Sequence, residues 1–172
     1  MPNRSFSESE ALVLKLNGLD EIQSFLAHII SEARKDLSIM TQALEPELLN
    51  NESVSRLLAH FARAHARNRV RVITCDTRKA EQRGHRLVTL AQQLPSFVGI
   101  RLLSDEMRQA YPVAQRTLVI ADNRHGFIWK NLGNPQANGY WHKPALLKSD
   151  LSTFDTLWEH SEEVPALRRL GI

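Results

Sequence analysis

Cysteine and long apolar runs are scarce in this sequence, and both absences narrow the class of protein. With a single cysteine, Cys75, the chain cannot form an internal disulfide, which fits a reducing compartment. No apolar stretch approaches the roughly twenty residues that a membrane-spanning helix needs. The first ten residues lack the apolar core of a signal peptide. We therefore expect a soluble, cytoplasmic protein without a membrane partner.

The excess of charge of one sign is also small. The formal net charge is +3, with 22 Lys and Arg against 19 Asp and Glu. So slight an excess permits binding to nucleic acid but does not argue for it. A chain of 172 residues that is 42% hydrophobic suits one globular domain. We expect residues 1–10 to form a flexible arm and residues 11–172 to form the domain.

The sequence contains no pattern typical of a metal site. It has seven histidines but no pair of cysteines. His28 and His160 fall on the first and last predicted helices, and His60 and His65 flank the end of the second. Metal ligands need a close set of His, Cys, Asp or Glu side chains, which these spacings do not provide. We therefore expect no metal and no cofactor.

Apolar periodicity alternates between strand and helix along the chain. We predict strands at residues 11–16, 36–42, 69–76 and 98–103, and helices at residues 19–33, 50–62, 80–94 and 150–163. Strands that alternate with helices predict an α/β fold, with a mixed, mostly parallel sheet and helices on both faces.

A further pair of strands is predicted between Gln115 and Trp129. An apolar run ends at Asp122, a polar turn follows, and a second apolar run begins at Phe127. This segment resembles the phospholipase D superfamily, which carries His-x-Lys-x-x-x-x-Asp on such a strand. Asp122 takes the Asp position, Gln115 the His position and Thr117 the Lys position. The order of elements over residues 11–163 is also similar to one half of a phospholipase D.

The resemblance implies a half-domain whose chemical groups have been replaced. In the family, one His attacks phosphorus, a second protonates the leaving group, and paired Lys residues hold the phosphate. Gln115 is no nucleophile and Thr117 carries no charge, so hydrolysis by this mechanism is lost. The family's Asp, here Asp122, is mainly structural. The resemblance thus implies a catalytically inactive binding or interaction module, which could take a phosphate-containing ligand.

Relatives with one half per chain pair two copies about a two-fold axis, so that both motifs face each other. The resemblance therefore implies a homodimer, joined through the edge that carries Gln115 and Thr117. Asn131 is offset by about one residue from the position of a family Asn that contacts phosphate. His142 and Lys143 follow Trp141 in a predicted loop and are further candidates for phosphate contacts.

Two other functions stay open at this point, beside the plain reading that these are ordinary strand-end residues. One is a phosphodiesterase or nuclease that uses a displaced histidine, either His125 or His142. The other is a nucleic-acid-binding protein that uses a basic run, in which Arg71 is a further candidate for phosphate contacts. The run consists of Arg63, Arg67, Arg69, Arg71, Arg78, Lys79, Arg83 and Arg86. These side chains could equally be a solvated surface.

Part of the basic run, residues 83–87, is similar to the acetyl-CoA phosphate loop of N-acetyltransferases. That loop needs a small residue two positions after its glycine, so that backbone amides can approach the pyrophosphate. Arg86 stands there, two residues after Gly84. An N-acetyltransferase is therefore not favoured.

Overall fold

A computed structural model describes residues 11–130 and 133–167 of the chain. Within these residues one sheet contains the strands β1 (Leu12–Asn17), β2 (Asp36–Thr41), β3 (Arg69–Thr74), β4 (Val98–Leu102), β5 (Thr117–Ala121), β6 (His125–Trp129), β7 (Gln136–Trp141) and β8 (Glu162–Glu163). The helices are α1 (Leu19–Glu32), α2 (Pro46–Leu49), α3 (Glu52–Ala64), α4 (Arg78–Arg83), α5 (Arg86–Gln93), α6 (Asp105–Ala110) and α7 (Pro144–Glu159). The predicted arm at residues 1–10 lies outside the described residues.

The sheet is mixed, as the sequence predicted, with the order β1-β7-β6-β5-β2-β3-β4-β8. The expectation that parallel pairs predominate was wrong. Only β2–β3 and β3–β4 pair in parallel within the described residues, and the other neighbours are antiparallel. The reason lies in the connections, because helices α3, α4 and α5 carry the chain back for the parallel strands. A tight turn joins β5 to β6 and forces them to run in opposite directions.

That turn contains two residues in the left-handed backbone region, Asp122 with φ 53° and Asn123 with φ 52°. Asp and Asn tolerate this conformation better than other non-glycine residues, which explains why the predicted hairpin forms here. The next strand packs tightly against its partner at Gly126. A Cβ atom at this position would lie 2.5 Å from the carbonyl oxygen of Val119, so only glycine fits.

Several helices and two short stretches of strand differ from the predicted pattern. The helix predicted over residues 80–94 is broken at Gly84, whose φ of 74° ends α4 before α5 begins. The last helix starts at Pro144 rather than near residue 150, because proline suits the first helical turn. It ends at Glu159, and the expected continuation contains the short edge strand β8 instead. The short helices α2 and α6 and the strand β7 were not predicted.

Apolar side chains pack on both faces of the sheet, as expected for helices on either side. Helix α1 buries Ile22, Phe25 and Leu26 against one face, together with apolar residues of α3 and α5. Helix α7 buries Phe154 and Leu157 against the other face. Among the residues that the structure describes, no helix is long and apolar enough to cross a membrane.

Candidate functional site

Gln115 and Thr117, which were compared with the His and Lys of the motif, lie at one edge of the sheet, here called the motif edge. It is formed by the ends of β2 and β3 and by the start of β5, which runs antiparallel to β2. Gln115 ends a 3-10 turn (Pro112–Gln115), and its side chain is exposed. Thr117 is the first residue of β5 and is only 1% exposed. The structure therefore brings both residues to this edge, but only Gln115 faces the outside.

A buried acid, Glu45, is the functional group at the motif edge that sequence reasoning missed. Its side chain is 5% exposed, and its Oε1 accepts the backbone N–H groups of Gln42 at 2.7 Å and Ala43 at 3.3 Å. The turn that presents these amides passes through Leu44, which has a φ of 55°. In the sequence, Glu45 precedes Pro46 at the start of α2, where an acid usually suggests a solvated helix cap.

Burial raises the pKa of Glu45, and the amides of Gln42 and Ala43 and the Thr117 hydroxyl oppose that rise. The second carboxyl oxygen, Oε2, and Oγ1 of Thr117 are both buried without an assigned hydrogen bond in the described part of the chain. An anion at this edge would therefore meet a carboxyl group and a hydroxyl. The phospholipase D mechanism needs imidazoles and ammonium groups, so the chemistry of this edge differs in both kind and sign.

Two neighbouring side chains, Gln42 and Cys75, contact the segment before β5 at the motif edge. The Gln42 amide donates to the carbonyl oxygens of Ala114 at 2.8 Å and Arg116 at 3.0 Å, which ties the segment before β5 to the end of β2. Cys75 lies next to the same segment, with Sγ 3.7 Å from the Ala114 oxygen. Burial raises the pKa of this thiol to about 11, so it is not a thiolate nucleophile near neutral pH.

Asp122 lies at the opposite end of β5, and its carboxylate binds backbone. It accepts N–H groups from Arg34 and Lys35 at 2.8 Å and from Asp36 at 2.9 Å. The Asp122 amide donates in turn to the carbonyl oxygen of Asp36 at 2.9 Å. This carboxylate therefore fastens the β5–β6 turn to the segment that enters β2, which is a structural task.

The two candidates for a displaced histidine also lie at that opposite end. His125 pairs with Ala121, whereas Thr117 pairs with Trp129 at the other end of the same hairpin. Four residues of strand separate the two ends by about 13 Å. Neither His125 nor His142, which follows β7, can therefore replace the missing imidazole at the motif edge.

His125 and His142 are close to each other, with ring centroids 4.5 Å apart. The backbone N–H of His142 donates to Nδ1 of His125 at 3.0 Å, and His125 stacks on Trp141 with a centroid distance of 3.7 Å. Burial lowers the pKa of His125 to about 4, so its ring is neutral near pH 7. Within residues 11–130 and 133–167, no cluster of His, Cys, Asp or Glu could hold a metal ion.

The candidates for phosphate contacts do not form one site. His142 and Lys143 lie at the end that carries Asp122. Arg71 lies within β3 on the face covered by α7, where it forms an ion pair with Asp155 at 2.8 Å and packs over the Phe154 ring at 5.1 Å. Asn131 lies outside the described residues.

A cavity of about 650 Å³ lies beside Arg71, along the outer strands β3, β4 and β8. Its lining includes Phe97, Arg101 and Trp158. Arg101 is occupied within this lining, because it stacks over the Trp158 ring at 4.3 Å and donates to the Trp158 carbonyl oxygen at 2.8 Å. Arg71, which also lines the cavity, is engaged in its ion pair with Asp155. The cavity therefore offers apolar walls with arginines that are already engaged.

The basic run divides between the two ends of the sheet. Arg69 begins β3, whereas Arg78 and Lys79 lie in α4 beyond the end of that strand. The six residues of β3 span about 17 Å, so the two groups of cations do not share a surface. Arg78 is also paired with Asp76 at 2.6 Å. The run from Arg63 to Arg86 therefore does not form one continuous patch.

Comparison with known proteins identifies a family and a fold. The sequence profile of a family described as "Domain of unknown function (DUF7931)" matches residues 18–170. No curated protein matches the chain significantly. Nuc from Salmonella typhimurium, a phospholipase D family member, is 13% identical with a TM-score of 0.64, over 93% of this chain and 100% of Nuc. NucT from Helicobacter pylori is 12% identical with a TM-score of 0.64, over 90% of this chain and 99% of NucT.

A third solved structure has a different description. TrmBL2, an archaeal chromatin protein described as showing a novel mode of DNA binding, is 12% identical with a TM-score of 0.65. The match covers 95% of this chain and 56% of TrmBL2. Identities this low show the fold alone, and they confirm the phospholipase D-like α/β fold that the sequence implied.

Proposed function

We propose that this chain, which belongs to the family described as domain of unknown function DUF7931, is a catalytically inactive phospholipase D-like domain that acts as a binding or interaction module. The observation that carries the proposal is the content of the motif edge. By the resemblance to phospholipase D, Gln115 and Thr117 take the His and Lys positions, and Glu45 accepts backbone amides at the same edge. The lone cysteine fits a reducing compartment, so we extend the proposal to a cytoplasmic location.

The argument against hydrolysis has two parts. Attack on phosphorus needs a nucleophile. The motif edge presents an amide, a hydroxyl, a buried carboxyl, a protonated thiol and the imidazole of His85. Both ring nitrogens of His85 are already engaged, with Nε2 2.9 Å from the Leu44 carbonyl oxygen and Nδ1 accepting the Leu87 N–H. Phosphate binding also needs cations or free amides. The amides of Gln42 and Ala43 already bind Glu45, whose ionised form would repel a phosphate. A phosphate-containing ligand is thus better served away from this edge.

We further propose that two copies form a two-fold symmetric dimer through the motif edge. Gln115 is exposed and neutral there, so close approach of two copies would bury no like charges at this position. Thr117 is too deeply buried to touch a partner. A charge at position 117 would disturb the interior, and a charge at position 115 is the proper probe of such an interface.

A second candidate function is binding of nucleic acid. It is favoured by the likeness of the fold to TrmBL2, whose description names DNA binding. It is also supported by the cations at the end of the sheet opposite the motif edge. The two candidates are compatible, because an inactive module still needs a partner.

Hydrolysis assays test the inactive state directly. The purified chain should not hydrolyse bis-p-nitrophenyl phosphate or plasmid DNA above background in metal-free buffer, because Gln115 is not a nucleophile and both ring nitrogens of His85 are already hydrogen-bonded. Turnover that survives purification and is lost in His125→Ala or His142→Ala would refute the proposal and favour the displaced-histidine enzyme. His160→Ala, which removes an exposed histidine at the end of α7, is the matched control.

A further inference from the structure

Cations gather along the edge of the sheet opposite the motif edge, although they are scattered in the sequence. We call this surface the basic edge. It is formed by the segments that enter β2 and β3, by the β5–β6 turn and by the start of α7. Its cationic residues are Arg34, Lys35, Arg67, Arg69, Arg124 and Lys143. All of them are exposed except Lys143, which is half-buried.

Backbone hydrogen bonds hold these residues side by side. The Arg69 amide donates to the carbonyl oxygen of Lys35 at 3.0 Å, and the amides of Arg34 and Lys35 bind the Asp122 carboxylate. Across the turn, the Lys143 amide donates to the carbonyl oxygen of Arg124 at 2.9 Å. The relative positions of the segments that form the basic edge are therefore fixed by backbone hydrogen bonds.

The carboxylates at the basic edge do not cancel its charge. In the described part of the chain, three acids lie at this end of the sheet, namely Glu32 at the end of α1, Asp36 and Asp122, so the six cations outnumber them. Within residues 11–130 and 133–167, no ion pair joins Lys35, Arg124 or Lys143 to a carboxylate. The whole chain carries only +3, so this edge concentrates positive charge that the rest of the molecule balances.

The row of cations has the dimensions of a phosphate backbone. It runs across the ends of β3, β2, β5, β6 and β7, which are adjacent in the sheet, and it is about 19 Å long at the usual spacing of strands. Duplex DNA carries one charge per about 1.7 Å of axis, so about six base pairs match this length. We propose that the basic edge binds the phosphate backbone of duplex nucleic acid, which names a partner and a surface for the module proposed above.

A duplex suits this edge better than a single strand. Single-stranded nucleic acid is held largely by bases that stack on exposed aromatic rings. Two aromatic side chains lie at this edge, and neither offers an open ring face. Trp141 is 1% exposed and has His28 and His125 stacked on it, and the half-buried Phe97 lies 5.7 Å beneath the guanidinium of Arg69. Point charges without a stacking ring contact phosphates and read no sequence.

The test compares two double variants that remove the same charge from opposite ends of the sheet. Lys35→Gln/Arg124→Gln changes two exposed side chains of the basic edge. Arg83→Gln/Arg86→Gln changes two exposed arginines of α4 and α5 and is the matched control. Binding of a labelled 20-base-pair duplex is titrated between 50 and 200 mM salt, and thermal melts check that both variants fold.

About four phosphate contacts would weaken binding of the unaltered chain roughly 100-fold between 50 and 200 mM salt. The Lys35→Gln/Arg124→Gln variant should bind about tenfold more weakly at 50 mM, with a slope of log affinity against log salt that is smaller by about 2. The control variant should match the unaltered chain.

Three results would overturn the assignment. They are absence of binding at 50 mM salt, an equal loss in the control variant, and binding to vesicles of phosphatidylglycerol that depends on Lys35 and Arg124 while duplex DNA is not bound. The assay is separate from hydrolysis. Turnover of a phosphodiester would refute the inactive state and leave the comparison of the two variants unaffected.

Discussion

Removing the Asp122 carboxylate should destabilise the domain strongly. The Asp122→Ala variant loses three hydrogen bonds from the amides of Arg34, Lys35 and Asp36. These donors belong to partly exposed residues, so water recovers part of the loss, and about 1 kcal/mol per bond is a fair value. Alanine at a φ of 53° costs about 1 kcal/mol more. The free energy of unfolding should therefore fall by about 4 kcal/mol.

The neighbouring residue provides a matched control. Asn123 shares the left-handed conformation, with a φ of 52°, but no hydrogen bond of its side chain is found in the described residues. The Asn123→Ala variant should lose only the conformational part, about 1 kcal/mol. The difference between the two variants, about 3 kcal/mol, is then the contribution of the carboxylate.

Urea unfolding followed by tryptophan fluorescence measures both variants, since Trp129 and Trp141 are buried. With a slope of about 2 kcal/mol per molar urea, the midpoint should fall by about 2 M for Asp122→Ala and by about 0.5 M for Asn123→Ala. The slope itself should not change. Equal midpoints in the two variants would show that the carboxylate bonds contribute nothing to stability, and the structural role of Asp122 would then be refuted.

Two further predictions concern the motif edge. Burial raises the pKa of Glu45 in the folded state, so its stabilising contribution is complete below the unfolded pKa and is lost as the pH rises through the folded pKa. The Glu45→Gln variant keeps the acceptor for the Gln42 amide but cannot ionise. The melting temperature of the variant minus that of the unaltered chain should therefore increase from pH 5 to pH 8. A constant difference would contradict the buried carboxyl. The Gln115→Glu variant should weaken the proposed dimer in analytical ultracentrifugation, while Gln93→Glu, at the far end of α5, should not. A chain that is monomeric at high micromolar concentration would end that proposal.

Local chemistry explains which parts of the fold the sequence predicted. The β5–β6 hairpin was predicted correctly, because apolar runs flank Asp122 and Asn123, which accept the turn's backbone angles. Helix α1 was also predicted, since Ile22, Phe25 and Leu26 repeat at helical spacing and face one core. These signals lie within a few residues of each other, so a single sequence carries them.

The features that depend on distant partners could not be predicted. Glu45 resembles any acid before a proline, and its burial results from the packing of Thr117 from β5 beside it. The sequence of β7 does not predict a strand, because Asn138 and Gly139 interrupt its apolar pattern. The pairing of β7 with both β1 and β6 compensates for that weak local preference.

The two ends of the sheet differ in the groups that they present to a phosphate. At the motif edge, Glu45 accepts the N–H groups of Gln42 and Ala43 and Thr117 is buried, so neither these amides nor the side chain at position 117 can bind a phosphate. At the basic edge, the turn fixed by Asp122 sets cations side by side. Asp122 matters to the basic edge, because its carboxylate fixes the turn that carries part of the surface we propose for nucleic acid. On this reasoning, Asp122→Ala should weaken duplex binding as well as stability, whereas a variant at Glu45 should affect stability alone.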